Sequence, residues 1–214
     1  MPIYQLSKDL IFPNPFHAED GVIAVGGDLS PERLILAYRS GIFPWYSQGE
    51  PIIWHAPDPR FVLFPQNFYV SKSLKQLLKQ NKYSFAIDTN FKEVIRNCKT
   101  VNREEQDGTW ITNEMETAYI KLHELGFAHS IEVYNLNKKL VGGLYGIKLG
   151  KVFFGESMFH LESNASKLAF YHLISSFDLE LIDCQVYTEH LESLGAEDVS
   201  LEHFLSLLNL FTEE

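Results

Sequence analysis

One stretch narrows the choice of fold more than any other: residues 139–159, KLVGGLYGIKLGKVFFGESMF. It predicts two strands, over 139–148 and 151–159. A strand over 130–134 precedes them. A helix from about 164 follows, with Leu168, Ala169, His172 and Leu173 at helical spacing, and then a strand over 181–187. Adjacent strands, one helix and one more strand make a mixed α/β sheet with a parallel crossover. The glycines of GGLYG relieve crowding inside a strand; they do not make a phosphate loop.

The flanking chain fills in the rest. Helices are expected over 71–80 and 90–99, the second with Phe91, Val94, Ile95 and Cys98 on one side. Thr112 precedes a longer helix that carries Met115, Ala118, Tyr119, Leu122 and Leu125 and closes at Gly126. Short helices follow near 189–194 and 201–210. Residues 11–65 are rich in Pro and Gly. There Ser30-Pro31 starts a helix as cap and first residue, Leu34, Ile35 and Tyr38 give it an apolar face, and Gly41 ends it. Strands are expected at 51–54 and 61–64. The resulting expectation is an α+β, mixed α/β protein, with a small loop-rich N-terminal domain over 1–62 and a larger domain over 63–214.

Hydrophobic residues at 45% and charged residues at 21% support a sizeable core rather than disorder. Cys98 and Cys184 sit in apolar surroundings with no CxxC, which fits a reducing compartment. The first residues lack a basic stretch followed by an apolar one, and no run approaches the roughly 18 apolar residues of a membrane span. A soluble, cytoplasmic protein is expected. The formal charge is −10, yet residues 60–103 hold Arg60, Lys72, Lys75, Lys79, Lys82, Lys92, Arg96, Lys99 and Arg103 against only Asp88 and Glu93. That is either a footprint for nucleic acid or a solvated helix face. The eight histidines show no HExxH or clustered spacing, so no metal site is expected, and there is no GxSxG.

The strand Leu181-Ile182-Asp183-Cys184-Gln185-Val186-Tyr187 is the chemical oddity, because Asp and Gln are poor strand residues and a buried carboxylate is costly. Alternation sets Leu181, Asp183, Gln185 and Tyr187 on one face and Ile182, Cys184 and Val186 on the other. The polar pair therefore either faces a reaction cleft or bonds a loop or helix end. Cys184, opposite it, is not expected to be a nucleophile.

The second part of the chain resembles the fold of the Gcn5-related N-acetyltransferases, with 139–159 as its central hairpin. The connection HLESNASK, residues 160–167, has no glycine to cradle a pyrophosphate, which disfavours an acyl-CoA donor. The blocks AVGGDLSPERLILAYRSGIFPWYS, PIIWHAPDPRFVLFP, DGTWIT, LHELGFAHSIEVY, LVGGLYG, FFGESMF, NASK and LIDCQV run in order. Together they resemble the leucyl/phenylalanyl-tRNA–protein transferase family. His55-Ala56 stands where the family usually has Trp-Ser, Leu144 where Met is common, and His160 where Ser is common.

The resemblance implies transfer of Leu or Phe, less readily Met, from aminoacyl-tRNA to the N-terminal Arg or Lys of an acceptor protein, marking it for degradation. No cofactor and no metal are implied, since the aminoacyl ester is already activated. Asp183 and Gln185 would be catalytic, with Asp183 polarising Gln185. Leu144, Phe153, Phe170 and Leu173 would form the aminoacyl pocket, with Glu156 and Ser157 at its wall. Trp45 and Trp110 would take the 3′-terminal adenosine of tRNA, and Trp54 is expected in the core. A CoA-dependent N-acyltransferase of the same fold and a non-enzymatic RNA-binding module are the alternatives.

Overall fold

The computed structural model describes residues 3–100 and 111–212. In chain order it runs β1 (Tyr4–Leu6), β2 (Val22–Gly26), α1 (Pro31–Arg39), β3 (Phe43–Pro44), β4 (Ile53–His55), β5 (Arg60–Leu63), α2 (Lys72–Lys79), β6 (Tyr83–Ile87), α3 (Phe91–Thr100), α4 (Asn113–Glu124), β7 (Ala128–Asn135), β8 (Leu140–Leu149), β9 (Val152–His160), α5 (Ala165–Ser176), β10 (Leu181–Gln185), α6 (Glu189–Glu192), β11 (Glu197–Val199) and α7 (Leu201–Thr212). Local chemistry fixes the helix starts. Ser30 Oγ accepts the Arg33 N–H at 3.4 Å with Pro31 behind it, Ser71 Oγ accepts from Leu74, and Thr112 Oγ1 accepts from Met115. Gly41, at φ +72°, lets the chain leave α1.

The strands form two sheets. The smaller has the order β1-β2-β4-β3 and the larger β11-β5-β10-β9-β8-β7-β6. The predicted hairpin is β8–β9, and the chain crosses through α5 to set β10 parallel to β9. The mixed α/β class and the small N-terminal unit are thus as expected. The division at 62/63 falls inside β5, which belongs to the larger sheet and pairs antiparallel with β10 and β11. Strands β1, β2, β3, β6 and β11 were not foreseen. Several have only two or three residues and exist through pairing with distant partners, so local pattern carries little of them.

Two apolar clusters cover opposite faces of the large sheet. One gathers α3, α4 and α7 and runs on without a break into Ile23, Leu34, Tyr38, Phe43 and Trp54 of the N-terminal unit. The other packs α2 and α5 over Phe61, Leu144, Phe153 and Ile182. Trp54 lies in the core as expected, its Nε1 donating to the Gly26 carbonyl at 2.9 Å. Arg33, also fully buried, binds the N-terminal segment through the carbonyls of Ser7 and Asp9. Among the described residues no helix is long and apolar enough to cross a membrane.

The glycines of β8 lie where neighbours leave no room. A Cβ on Gly146 would come 2.2 Å from the Phe154 carbonyl oxygen and 2.6 Å from the Phe153 ring. On Gly155 the nearest atom, the Asp183 carbonyl oxygen, is 3.5 Å away. Gly146→Ala should therefore destabilise by about 3 kcal/mol or more, and Gly155→Ala by under about 1 kcal/mol, as read by urea unfolding of each variant.

Candidate active site

The site begins where β9 and β10 part. Their parallel ladder runs from Leu181 opposite Val152 to Asp183 opposite Phe154 and stops there. Both strands are irregular just beyond. On β9, Gly155 and Ser157 pair with Gly146 and Tyr145, leaving Glu156 as the extra residue; on β10, Cys184 is skipped between Asp183 and Gln185. Two neighbouring bulges open the sheet and re-aim the side chains that follow them. Gly155 is half-buried between a buried Phe154 and a buried Glu156, so solvent reaches the backbone at this opening.

Asp183 does not face a cleft. It is fully buried and held in a two-pronged ion pair by Arg60, with Nε to Oδ1 at 2.8 Å and Nη2 to Oδ2 at 2.6 Å. The Arg60 guanidinium lies between the Phe43 and Phe204 rings, 4.6 Å from each centroid. Asp183 Oδ1 also accepts the backbone N–H of Gln185 at 2.9 Å. That bond steadies Gln185 at φ +66°, a left-handed conformation uncommon for a non-glycine residue. Alternation holds for Leu181, Asp183 and Gln185 on one side and for Ile182 and Cys184 on the other. It then breaks: Val186, expected beside Cys184, packs with the first cluster instead. The bulge is the reason.

Gln185 points at Glu156, its Nε2 donating to Oε1 at 2.9 Å. Tyr38 Oη donates to Oε1 at 2.7 Å and Tyr119 Oη to Oε2 at 2.8 Å, and the two phenols touch each other. Burial pushes the Glu156 carboxyl up to about 7; the phenols and the Gln185 amide pull it down, and the nearby Asp183 charge pushes it up. The same burial drives both phenols well above their ordinary range. Burial also pushes the Cys184 thiol far up, so it stays protonated. The sequence reading missed Tyr38 and Tyr119 as partners here. Its only signal was a pair of tyrosines on apolar helix faces, whose hydroxyls must be satisfied once buried.

The other named residues divide between the two faces. Leu144, Phe153, Phe170 and Leu173 come together in the second cluster, where Phe170 stacks on Phe68 with centroids 5.6 Å apart. Glu156 instead faces the first cluster through Tyr38 and Tyr119, with Ser157 half-buried beside it. Trp45 is exposed, tilted against His55 at 5.7 Å, and its carbonyl lies 2.9 Å from His55 Nε2. The next residue, Tyr46, reaches Thr112 Oγ1 at 3.3 Å. Trp110 and Arg103 lie outside the described residues. The basic segment is not one patch. Arg60 is in the core, Arg96 and Lys99 pair with Glu116, and α2, bearing Lys72, Lys75 and Lys79, covers the sheet face opposite α3, which bears Lys92.

A family model for "Leucyl/phenylalanyl-tRNA protein transferase" matches residues 62–209, and one for the N-terminal domain of that family matches 27–58. A leucyl/phenylalanyl-tRNA–protein transferase from Syntrophus aciditrophicus is 55% identical over 97% of this chain and 88% of its own length. One from Flavobacterium johnsoniae is 54% identical over 96% of this chain and 99% of its own. One from Syntrophobacter fumaroxidans is 52% identical over 97% and 90%.

Two outcomes are expected from the geometry. Asp183→Asn leaves the buried Arg60 charge uncompensated and should lower unfolding stability by about 3–5 kcal/mol. For Glu156, a raised folded-state pKa means that stability is fully present below the unfolded value, near 4.5, and is lost as pH rises through about 7. Glu156→Gln cannot ionise, so urea unfolding should show it gaining on the parent by about 3 kcal/mol between about pH 4.5 and about pH 8.

Proposed function

The chain belongs to the leucyl/phenylalanyl-tRNA–protein transferase family, and on that premise we propose how its residues perform the transfer. The enzyme takes Leu or Phe from aminoacyl-tRNA and joins it to the N-terminal Arg or Lys of acceptor proteins, creating an N-degron. Met is the weaker donor in our reading, and the reaction is cytoplasmic. The arrangement is acyltransferase-like, of the Gcn5-related kind. Support comes from the order β7-β8-β9, the crossover through α5, and the parallel β9 and β10 that part at the site.

The reaction is an aminolysis. The acceptor's α-nitrogen forms a bond to the ester carbonyl carbon, the bond from that carbon to the ribose oxygen breaks, and the proton shed by nitrogen goes to that oxygen. Only the neutral amine attacks, and a free α-amine has a pKa of about 7.7–8.0. One observation carries the assignment: Glu156 and the Asp183-anchored backbone fix Gln185 at the opening, with Nε2 occupied and Oε1 without a protein partner among the described residues. A carbonyl oxygen held there accepts an N–H of the incoming amine and orients its lone pair. Asp183 acts as an electrostatic and conformational anchor. The second cluster supplies the Leu or Phe pocket from Leu144, Phe153, Phe170 and Leu173, with Glu156 and Ser157 at its mouth. Trp45 and Trp110 stack the terminal adenosine, and the lysines of α2 are candidates for acceptor-stem phosphates.

Purified protein incubated with leucyl-tRNA should transfer leucine to a peptide beginning with Arg and not to one beginning with Ala, and RNase added first should abolish it. Transfer from acetyl-CoA, or tRNA binding without transfer, would instead favour one of the two alternatives. Trp45→Ala should raise the donor KM by about tenfold, the scale of one lost base stack; an unchanged KM would mean that the indole serves packing alone.

A further inference from the structure

We propose that Glu156 is a positioning residue whose protonation state governs the transfer: as a carboxylate it grips the Gln185 amide and keeps Oε1 toward the acceptor, and as a carboxylic acid it closes a hydrogen-bonded ring with Tyr38 and Tyr119 and loosens that grip. This rests on the role given to Gln185 above. The geometry is a matter of counting protons. Tyr38, Tyr119 and Glu156 make three contacts among themselves: Tyr38 to Oε1, Tyr119 to Oε2, and phenol to phenol. Two phenols supply two protons. With Glu156 ionised, both phenols donate to it and the contact between them has no proton. With Glu156 protonated, Oε2–H donates to Tyr119, Tyr119 to Tyr38, and Tyr38 to Oε1, so that all three contacts are hydrogen bonds.

The Gln185 bond reads this difference, because a bond to a carboxylate is roughly twice as strong as one to a neutral acid. A slack Gln185 would leave the left-handed conformation to the backbone bond from Asp183 and the pairing with Phe61 of β5. The groups bearing on Glu156 are Tyr38 from α1, Tyr119 from α4, Tyr145 of β8, which acts on both phenols, Gln185, and Asp183 of β10, itself paired with Arg60 of β5. Their balance brings the carboxyl up to about 7, so both states are populated near neutral pH.

The test is kcat against pH for the parent, Glu156→Gln, Tyr119→Phe and Gln185→Ala, with leucyl-tRNA and an Arg peptide saturating. Each variant is read as a ratio to the parent, in which the acceptor's own titration cancels. The Glu156→Gln ratio should fall about tenfold from about pH 6 to about pH 8, because only the parent gains a carboxylate. Loss of a phenol donor raises the Glu156 pKa further, so the Tyr119→Phe ratio should be low at and below about pH 7 and recover above it. In Glu156→Gln and Tyr119→Phe, which keep the shape of the pocket mouth and leave the Gln185 side chain in place, both KM values should stay within about twofold of the parent. Infrared spectra should show a protonated-carboxyl band that the parent loses over the same range and Glu156→Gln never has. Ratios that do not vary with pH, or a parent without that band, overturn the proposal, and Tyr119→Phe decides it if Glu156→Gln does not fold. Gln185→Ala at parental kcat would remove the Gln185 reading itself. A slow Gln185→Ala beside flat ratios would remove only the role of Glu156.

Discussion

The buried pair of Arg60 and Asp183 is the contact on which the rest of the molecule turns. Taking both charges out of water is costly, and a pair of well-packed apolar side chains would often stabilise as well. What the pair supplies is direction. Arg60 comes from β5, its guanidinium is sandwiched by rings from β3 and α7, and its two donors fix the carboxylate of β10. Asp183 has one oxygen left over for the backbone of Gln185. A single ion pair thus links four elements and ends in one left-handed residue.

That residue matters because the sheet is interrupted there. A regular ladder would bury Glu156 and Gln185 against a neighbouring strand. Two bulges side by side re-aim both, and the parallel ladder between β9 and β10 ends beside them. The strain at Gln185 is local and is held by named bonds on both its backbone and its side chain, which is how uncommon backbone conformations persist at reactive sites.

Much of the framework was legible in the amino-acid sequence because it is locally encoded. Ser30-Pro31, Ser71 and Thr112 cap helices through bonds three residues long, and the apolar runs of β8 and β9 need no distant partner to be recognised. The polar pair at 183 and 185 was visible as a breach of pattern, but its geometry was not. Strict alternation cannot foresee a skipped Cys184, and Arg60, counted by charge with a basic segment, is a core residue 123 positions from its partner. Tyr38 and Tyr119 read as apolar positions, since ring and hydroxyl answer to different surroundings and only the fold brings the hydroxyls to Glu156. Short strands such as β3 and β11 are products of pairing more than of propensity.

The N-terminal unit and the larger sheet meet the family models as separate stretches, but they share one uninterrupted apolar cluster, and Tyr38 of the first reaches the carboxylate of the second. For anyone recombining relatives, this sets a rule. A chimera that takes α1 from one parent and α4, β9 and β10 from another inherits two halves of a single hydrogen-bonded joint. Inheritance must follow that joint rather than the boundary in the chain: the unit of exchange is the set of residues around Glu156, scattered over nearly 150 positions of sequence and indivisible in space.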